Sequence, residues 1–116
     1  SIAVGVPRNT DKALAAVRES GGVAVNVSDE EILAAMRLIG RTCGVFGEPA
    51  GVTGTAGVKK AVELGLIDPA STVVSIVTGN GLKDAASGIK AAGETMVVKP
   101  DMADLLSAFA ARNIHP

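Results

Sequence analysis

Unbroken runs of β-branched and other apolar residues predict strands at four places in the chain. The clearest run is residues 73–77, which leads into the glycine turn of residues 78–81, Thr-Gly-Asn-Gly. A short apolar run without alternation is typical of a strand covered on both faces in a parallel sheet. Similar runs predict strands at residues 2–6, 23–27 and 95–98.

Helical periodicity fills the intervals between these runs. The first predicted helix follows a cap at Asn9 or Thr10 and ends at residues 20–22, Ser-Gly-Gly. The second begins with a capping box, in which the Ser28 hydroxyl accepts from the Glu31 amide and the Glu31 carboxylate accepts from the Ser28 amide. That helix ends at Gly44 and carries one apolar face, formed by Ile32, Leu33, Met36, Ile39 and Cys43.

The third predicted helix is rich in glycine. Pro49 suits its first position, since the missing N–H would lack a partner there anyway, and Gly65 with Leu66 resembles a glycine cap. Each interior glycine costs about 1 kcal/mol relative to alanine. We therefore expect the glycines to pack closely against another backbone or a flat ligand; they are Gly51, Gly54 and Gly57.

Two more helices complete the prediction. One follows the glycine turn, with Asp84 near its positive end and with Leu82, Ala85, Ala86 and Ile89 at helical spacing. The last starts at residues 100–101 and should bury Leu105, Leu106 and Phe109. Alternating strands and helices predict one α/β unit over residues 1–116, a mostly parallel open sheet with helices on both faces.

Composition excludes several classes of function. The net charge is −1, and the only aromatic residues are two Phe, so neither a basic patch nor a stacking platform indicates nucleic acid. No apolar stretch is long enough to span a membrane. The single cysteine, Cys43, is expected to be a small buried hydrophobe in a protein of the reducing cytoplasm.

The residues of common catalytic sites are mostly absent. His115 is the only histidine, and we expect it to be a solvated tail residue, so no metal site and no histidine-based nucleophile are predicted. Ligands of open α/β sheets bind beyond the carboxyl ends of strands, where Thr78 and Asn80 would lie. Taken alone, the glycine turn is equally compatible with a plain strand-to-helix connection.

A longer comparison of motifs is more informative. Three features stand in order: the SDEEI helix start at residues 28–32, the EPA segment at residues 48–50 and TGNGLKD at residues 78–84. Together they resemble the C-terminal part of the threonine synthase family, within the fold-type II pyridoxal-phosphate enzymes. The resemblance implies conversion of O-phospho-L-homoserine and water to L-threonine and phosphate by a cytoplasmic homodimer.

The resemblance also implies roles for four residues. Thr78 would hydrogen-bond the pyridine nitrogen of pyridoxal phosphate, and Gly79 and Asn80 would shape the turn beside the ring. Glu48 would lie near the ring edge. A neutral hydroxyl partner leaves the ring nitrogen largely unprotonated and so moderates the cofactor as an electron sink.

The catalytic lysine of the family has no counterpart in this sequence. The Schiff-base lysine precedes the matching segment in the family, and none of this chain's lysines stands in its setting; they are Lys12, Lys59, Lys60, Lys83, Lys90 and Lys99. We therefore expect a C-terminal fragment that is inactive without the N-terminal portion. A stand-alone binding or regulatory module, or another fold-type II enzyme such as threonine dehydratase, remains an alternative.

Overall fold

The computed structural model describes residues 2–93 and 95–114. In this part of the chain it consists of five α-helices and one 3-10 turn. The α-helices are α1 (Thr10–Glu19), α2 (Asp29–Cys43), α3 (Pro49–Glu63), α4 (Ala85–Ala92) and α5 (Met102–Ala111). The 3-10 turn, Gly81–Asp84, leads directly into α4.

The overall shape is elongated and thin. The radius of gyration is 18.3 Å and the principal extents are 60 × 34 × 19 Å. A compact chain of this length would have a radius of gyration of about 13 Å. No helix among the described residues is both long enough and apolar enough to cross a membrane.

The predicted parallel sheet is wrong. Residues 2–6, 23–27, 73–77 and 95–98 form no strand, and the only β-pairing in the described residues is an isolated antiparallel bridge between Gly47 and Asn80. A strand exists only where its N–H and C=O groups meet those of a neighbouring strand. A β-branched apolar run encodes the preference for a sheet but does not provide that neighbour.

The predicted signals at the ends of α2 and α3 are confirmed, whereas Asn9 stands at the start of α1 without a side-chain cap bond. Ser28 and Glu31 form the capping box, with the Glu31 amide 3.2 Å from the Ser28 hydroxyl and the Ser28 amide 2.6 Å from the Glu31 carboxylate. Gly44 caps α2 in the left-handed conformation. Pro49 is the first residue of α3, and Gly65, with φ +69°, lies just beyond its end.

The core lies where α2 packs on α3 and α4. Val52 is fully buried, and the rest of the cluster consists of Ile32, Ala35, Met36, Ile39, Ala56 and Ala91. An ion pair between Lys60 and Glu31, 3.0 Å long, joins α2 to α3. Arg37 Nε donates to the Ala91 carbonyl at 2.7 Å and joins α2 to α4.

Two predictions of burial, at Cys43 and on α5, are wrong. Cys43 is exposed at the end of α2. Leu82 and Ile89 are 79% and 72% exposed, although their spacing matches the helix. On the predicted apolar face of α5, Leu106 is 49% exposed, and Leu105 and Phe109 are only partly buried. Helical periodicity identifies an apolar side, but burial requires a surface to pack against it.

Candidate functional site

The glycine turn at residues 78–81 lies against the connection between α2 and α3. The Glu48 amide donates to the Gly79 carbonyl at 2.9 Å, and the Gly81 amide donates to the Phe46 carbonyl at 3.0 Å. Between these two bonds, Gly47 and Asn80 form the antiparallel bridge. The two segments are thus held together by main-chain bonds, which fix the position of the turn relative to α3.

Gly51 allows α3 to lie directly against the turn. A Cβ at this position would be 2.8 Å from the Gly79 nitrogen and 3.2 Å from the Thr78 nitrogen, both of them backbone atoms. The predicted close packing is confirmed at Gly51. At Gly54 and Gly57 the nearest atoms are 3.6 and 3.5 Å away, which is ordinary contact with room for a methyl group.

Glu48 covers the other side of the turn. A Cβ on Gly79 would overlap the Glu48 carboxylate and lie only 2.9 Å from its Cγ. The Glu48 side chain is 15% exposed, whereas Lys83, whose Nζ is 3.2 Å from Glu48 Oε1, is 62% exposed. The carboxylate is therefore packed on buried backbone and paired with a cation that comes from the solvent side.

Asn80 connects the turn to the following helix. Its Oδ1 accepts from the Leu82 amide at 2.9 Å, and its carbonyl accepts from the Lys83 amide at 3.1 Å. Side-chain bonds of this kind are typical of asparagine in tight turns. They shape the 3-10 turn Gly81–Asp84, from which the Lys83 side chain reaches Glu48.

Thr78 contributes a hydroxyl that is free to bind. The residue is exposed, and its hydroxyl has no hydrogen-bond partner among residues 2–93 and 95–114. It directly precedes Gly79, which is buried. The turn therefore combines a fixed backbone with an available neutral donor and acceptor.

Asp84, the last residue of the TGNGLKD motif, has a different task. Its carboxylate accepts from the Ser87 amide at 3.0 Å and from the Ser87 hydroxyl at 2.9 Å, so it caps α4. The bond from the Ser87 backbone, followed by that from the Ser87 side chain, lowers the pKa of Asp84. This carboxylate is committed to the helix end, as its predicted position near the positive end suggests.

Sequence reasoning missed two contributors to the turn. The Phe46 ring lies over Gly81 and Gly88, where a Cβ on Gly88 would be 3.0 Å from the ring's Cζ. The second contributor is Lys83, whose ammonium pairs with the Glu48 carboxylate. Both contacts join residues 35 or more positions apart, so no local pattern indicates them.

The structure adds nothing that would suggest a metal centre. Within residues 2–93 and 95–114, no group of three or more His, Cys, Asp or Glu side chains could hold a metal ion. His115, the predicted tail residue, lies outside the described residues.

Curated relatives that are named threonine synthase match most of this chain. It is 45% identical over 102 residues to the threonine synthase of Methanocaldococcus jannaschii, a match that covers 88% of this chain and 25% of that protein. It is 47% identical over 98 residues to that of Methanosarcina acetivorans, covering 84% of this chain and 24% of the relative. The chain thus spans about a quarter of the length of these relatives.

A family model makes the wider relationship clear. The model described as pyridoxal-phosphate dependent enzyme matches residues 1–79. The matched residues contain Glu48, Gly51, Thr78 and Gly79, which the fold brings together at one turn. Since the match covers more than half of the 116 residues, the chain belongs to the family of pyridoxal-phosphate dependent enzymes.

Proposed function

We propose that this chain is the C-terminal portion of a threonine synthase. The whole enzyme would convert O-phospho-L-homoserine and water to L-threonine and phosphate with pyridoxal phosphate. The proposal is supported by the relatives of that name, which are 41–49% identical to this chain. It is also supported by the TGNGLKD motif, because residues 78–81 are Thr-Gly-Asn-Gly where dehydratases usually have a serine-glycine-glycine turn.

The free hydroxyl of Thr78 is the observation that carries the proposal. It is exposed and without a partner in the described part of the chain, while the backbone on which it stands is fixed by the 2.9 Å bond from Glu48 to Gly79. A hydroxyl can donate to an unprotonated pyridine nitrogen without adding charge. These features fit a residue that binds the ring nitrogen of pyridoxal phosphate.

Gly79, Asn80 and Glu48 would support that contact. Gly79 and Asn80 would set the height and direction of Thr78 beside the ring, and Glu48 would border the ring edge. When bound, pyridoxal phosphate supplies the electron sink that makes removal of a Cα proton feasible. The task of these residues would be to orient the ring and to keep its nitrogen uncharged.

The Schiff-base lysine would come from the portion of the enzyme outside this chain. Three of the lysines form ion pairs with carboxylates: Lys59 with Glu63, Lys60 with Glu31 and Lys83 with Glu48. Of these three pairs, the one between Lys83 and Glu48 lies at the turn. We propose that this segment forms one wall of the site and does not act on substrate by itself.

The N-terminal portion of the enzyme is the proposed partner of residues 72–77. Val74 and Ile76 are 85% and 76% exposed in a β-branched run that has no strand neighbour among the described residues. A stand-alone module would have to leave this apolar run in water, which is unfavourable. The homodimer and the cytoplasmic location remain predictions.

Replacement of Thr78 in the full-length enzyme tests the proposal. Thr78→Ala is expected to lower kcat by about 10-fold to 100-fold, a loss of about 1.4–2.7 kcal/mol in transition-state stabilisation. The absorbance spectrum of the bound cofactor should also shift. Thr78→Ser should retain most activity, because it keeps the hydroxyl.

Thr42→Ala is the matched control. The Thr42 hydroxyl donates to the Leu38 carbonyl within α2, away from the turn. This variant should therefore behave like the wild type. Wild-type turnover and spectrum in Thr78→Ala would contradict the role given to Thr78.

A further inference from the structure

Lys83 and Glu48 form an ion pair of unequal exposure beside the turn. The distance from Nζ to Oε1 is 3.2 Å, and the lysine is four times as exposed as the glutamate, at 62% against 15%. A carboxylate this far withdrawn from water favours a nearby cation, because its own hydration is incomplete. The ion pair therefore stabilises the charge of the poorly hydrated Glu48 more than that of the well-hydrated Lys83.

The Glu48 carboxylate in turn supports Gly79. It occupies the space where any larger residue at position 79 would place its Cβ. The Glu48 amide also donates to the Gly79 carbonyl at 2.9 Å. Gly79 is thus held by the backbone and by the side chain of the same residue.

The opposite side of the turn is already closed by α3. Gly51 presents its Cα to the backbone of residues 78 and 79, where a Cβ would come within 2.8–3.2 Å. The turn is also held by the main-chain bonds from the Glu48 amide to Gly79 and from the Gly81 amide to Phe46. The Glu48 carboxylate adds a side-chain contact with Gly79, the residue that directly follows Thr78.

We propose that Lys83 is a positioning residue for Thr78, acting through Glu48. Its ammonium holds the Glu48 carboxylate against Gly79, and this contact would hold the Thr78 hydroxyl in position to bind the pyridine nitrogen. The inference rests on the proposed function for the cofactor contact. It gives Lys83 a role distinct from that of the Schiff-base lysine, which forms a covalent bond.

Charge-removing and charge-keeping variants in the full-length holoenzyme test the inference. Lys83→Met keeps much of the side-chain length and removes the ammonium. We expect pyridoxal phosphate to bind about 5-fold to 10-fold more weakly, in line with a pair that is partly exposed. The absorbance and fluorescence of the bound cofactor should shift in the same direction as in Thr78→Ala.

Lys83→Arg should keep the cofactor affinity within about 2-fold of the wild type and leave the cofactor spectrum unchanged. The reason is that a guanidinium also pairs with a carboxylate. Lys59→Met is the matched control: Lys59 is similarly exposed, at 58%, and pairs with Glu63 on the outer face of α3. It should leave the cofactor spectrum and affinity unchanged.

A double-mutant cycle asks whether Lys83 acts through Glu48. In a Glu48→Gln background, which keeps the side-chain volume but not the charge, Lys83→Met should weaken cofactor binding by less than about 2-fold. An undiminished effect in that background would overturn the inference. So would a wild-type spectrum and affinity in Lys83→Met, or equal losses in Lys83→Met and Lys83→Arg.

The outcomes separate this inference from the proposed function. If Thr78→Ala is impaired while Lys83→Met resembles the wild type, only the role of Lys83 is wrong. If Thr78→Ala itself keeps wild-type turnover and spectrum, the cofactor contact is wrong and the role of Lys83 is overturned with it.

Discussion

The packed region around α2 and α3 and the open region around residues 72–77 use the same kinds of residue with opposite results. Val52 in α3 is fully buried and Ala35 in α2 is 1% exposed. Val74 and Ile76 are 85% and 76% exposed, although the run that contains them is at least as apolar. Hydrophobicity therefore does not distinguish the two regions.

The difference lies in what each element needs from its surroundings. A helix satisfies its main-chain groups internally, so α2 and α3 need only side-chain contact to form a core. A strand needs both side-chain cover and a neighbouring strand for its N–H and C=O groups. The packed region satisfies its requirement within this chain, whereas residues 72–77 have no strand neighbour among the described residues.

Val74→Asp should give the largest effect, if the open region is covered in the full-length enzyme. A charge buried beneath the rest of the enzyme has no partner, and we expect the free energy of unfolding to fall by about 3 kcal/mol or more. Val74→Thr keeps the β-branched shape and should cost much less. Urea denaturation measures both.

A change of less than about 0.5 kcal/mol in Val74→Asp, typical of surface substitutions, would contradict this view. Residues 72–77 would then be exposed in the whole protein as they are here. The difference in exposure between the two regions would then not depend on the rest of the enzyme.

Gly51→Ala should destabilise the fold, whereas Gly54→Ala should stabilise it. The new methyl group at position 51 meets the backbone of Gly79 at 2.8 Å, and overpacking of this kind costs about 1–3 kcal/mol. At position 54 the nearest atom is the Ser75 hydroxyl at 3.6 Å, so the gain in helix propensity, about 0.5–1 kcal/mol, should prevail. Thermal unfolding of the two variants measures the difference.

Equal effects at the two positions would mean that α3 does not pack closely on the turn. Gly51→Ala should also weaken cofactor binding, since it displaces Thr78 and Gly79. Gly54→Ala should leave binding unchanged.

Ser28→Ala should cost about 1 kcal/mol, because it removes the hydroxyl that accepts from Glu31 at the start of α2. Asn9→Ala, at the start of α1, is the control. Asn9 stands at the same position of α1 but makes no side-chain cap bond, so its replacement should change stability by a few tenths of a kcal/mol at most. A similar loss in both would show that the cap bond is not the cause.

The pH dependence of the capping box sharpens this comparison. The bond from the Ser28 amide, followed by that from Lys60, lowers the pKa of Glu31. Since the folded pKa lies below the unfolded value of about 4.3, the stabilisation is present above that pH and lost as the pH falls through the folded pKa. In Lys60→Met, NMR titration should find the pKa of Glu31 raised toward its ordinary value, yet still lowered by the Ser28 amide. An unchanged pKa would exclude a contribution from Lys60.

The parts of the fold that were predictable depend on neighbours in sequence. The Ser28–Glu31 box, Pro49 at the first position of α3 and the left-handed Gly65 each involve residues within five positions of one another. Their geometry follows from local sterics and hydrogen bonding. The family resemblance at residues 78–84 identified the turn for a similar reason, since the motif is continuous.

The incorrect predictions concern partners that are distant in sequence. The predicted sheet has no strand pairing in the described residues, and the predicted apolar face of α5 contains no fully buried residue. Cys43 was predicted to be buried because it shares the helical spacing of Ile39, but α3 covers α2 only as far as the core cluster. Periodicity gives the direction of a side chain and not what lies in front of it.

The sequence by itself determined where α2 and α3 begin and end, and it predicted close packing at Gly51, Gly54 and Gly57. Only the tertiary structure decided that this packing occurs at Gly51, against the backbone of the turn, and that the Glu48 carboxylate lies against Gly79. It also brought Lys83 to Glu48, across 35 positions. Backbone conformation responds to a few neighbouring residues, whereas a contact of this kind requires α3 and the turn to have packed first.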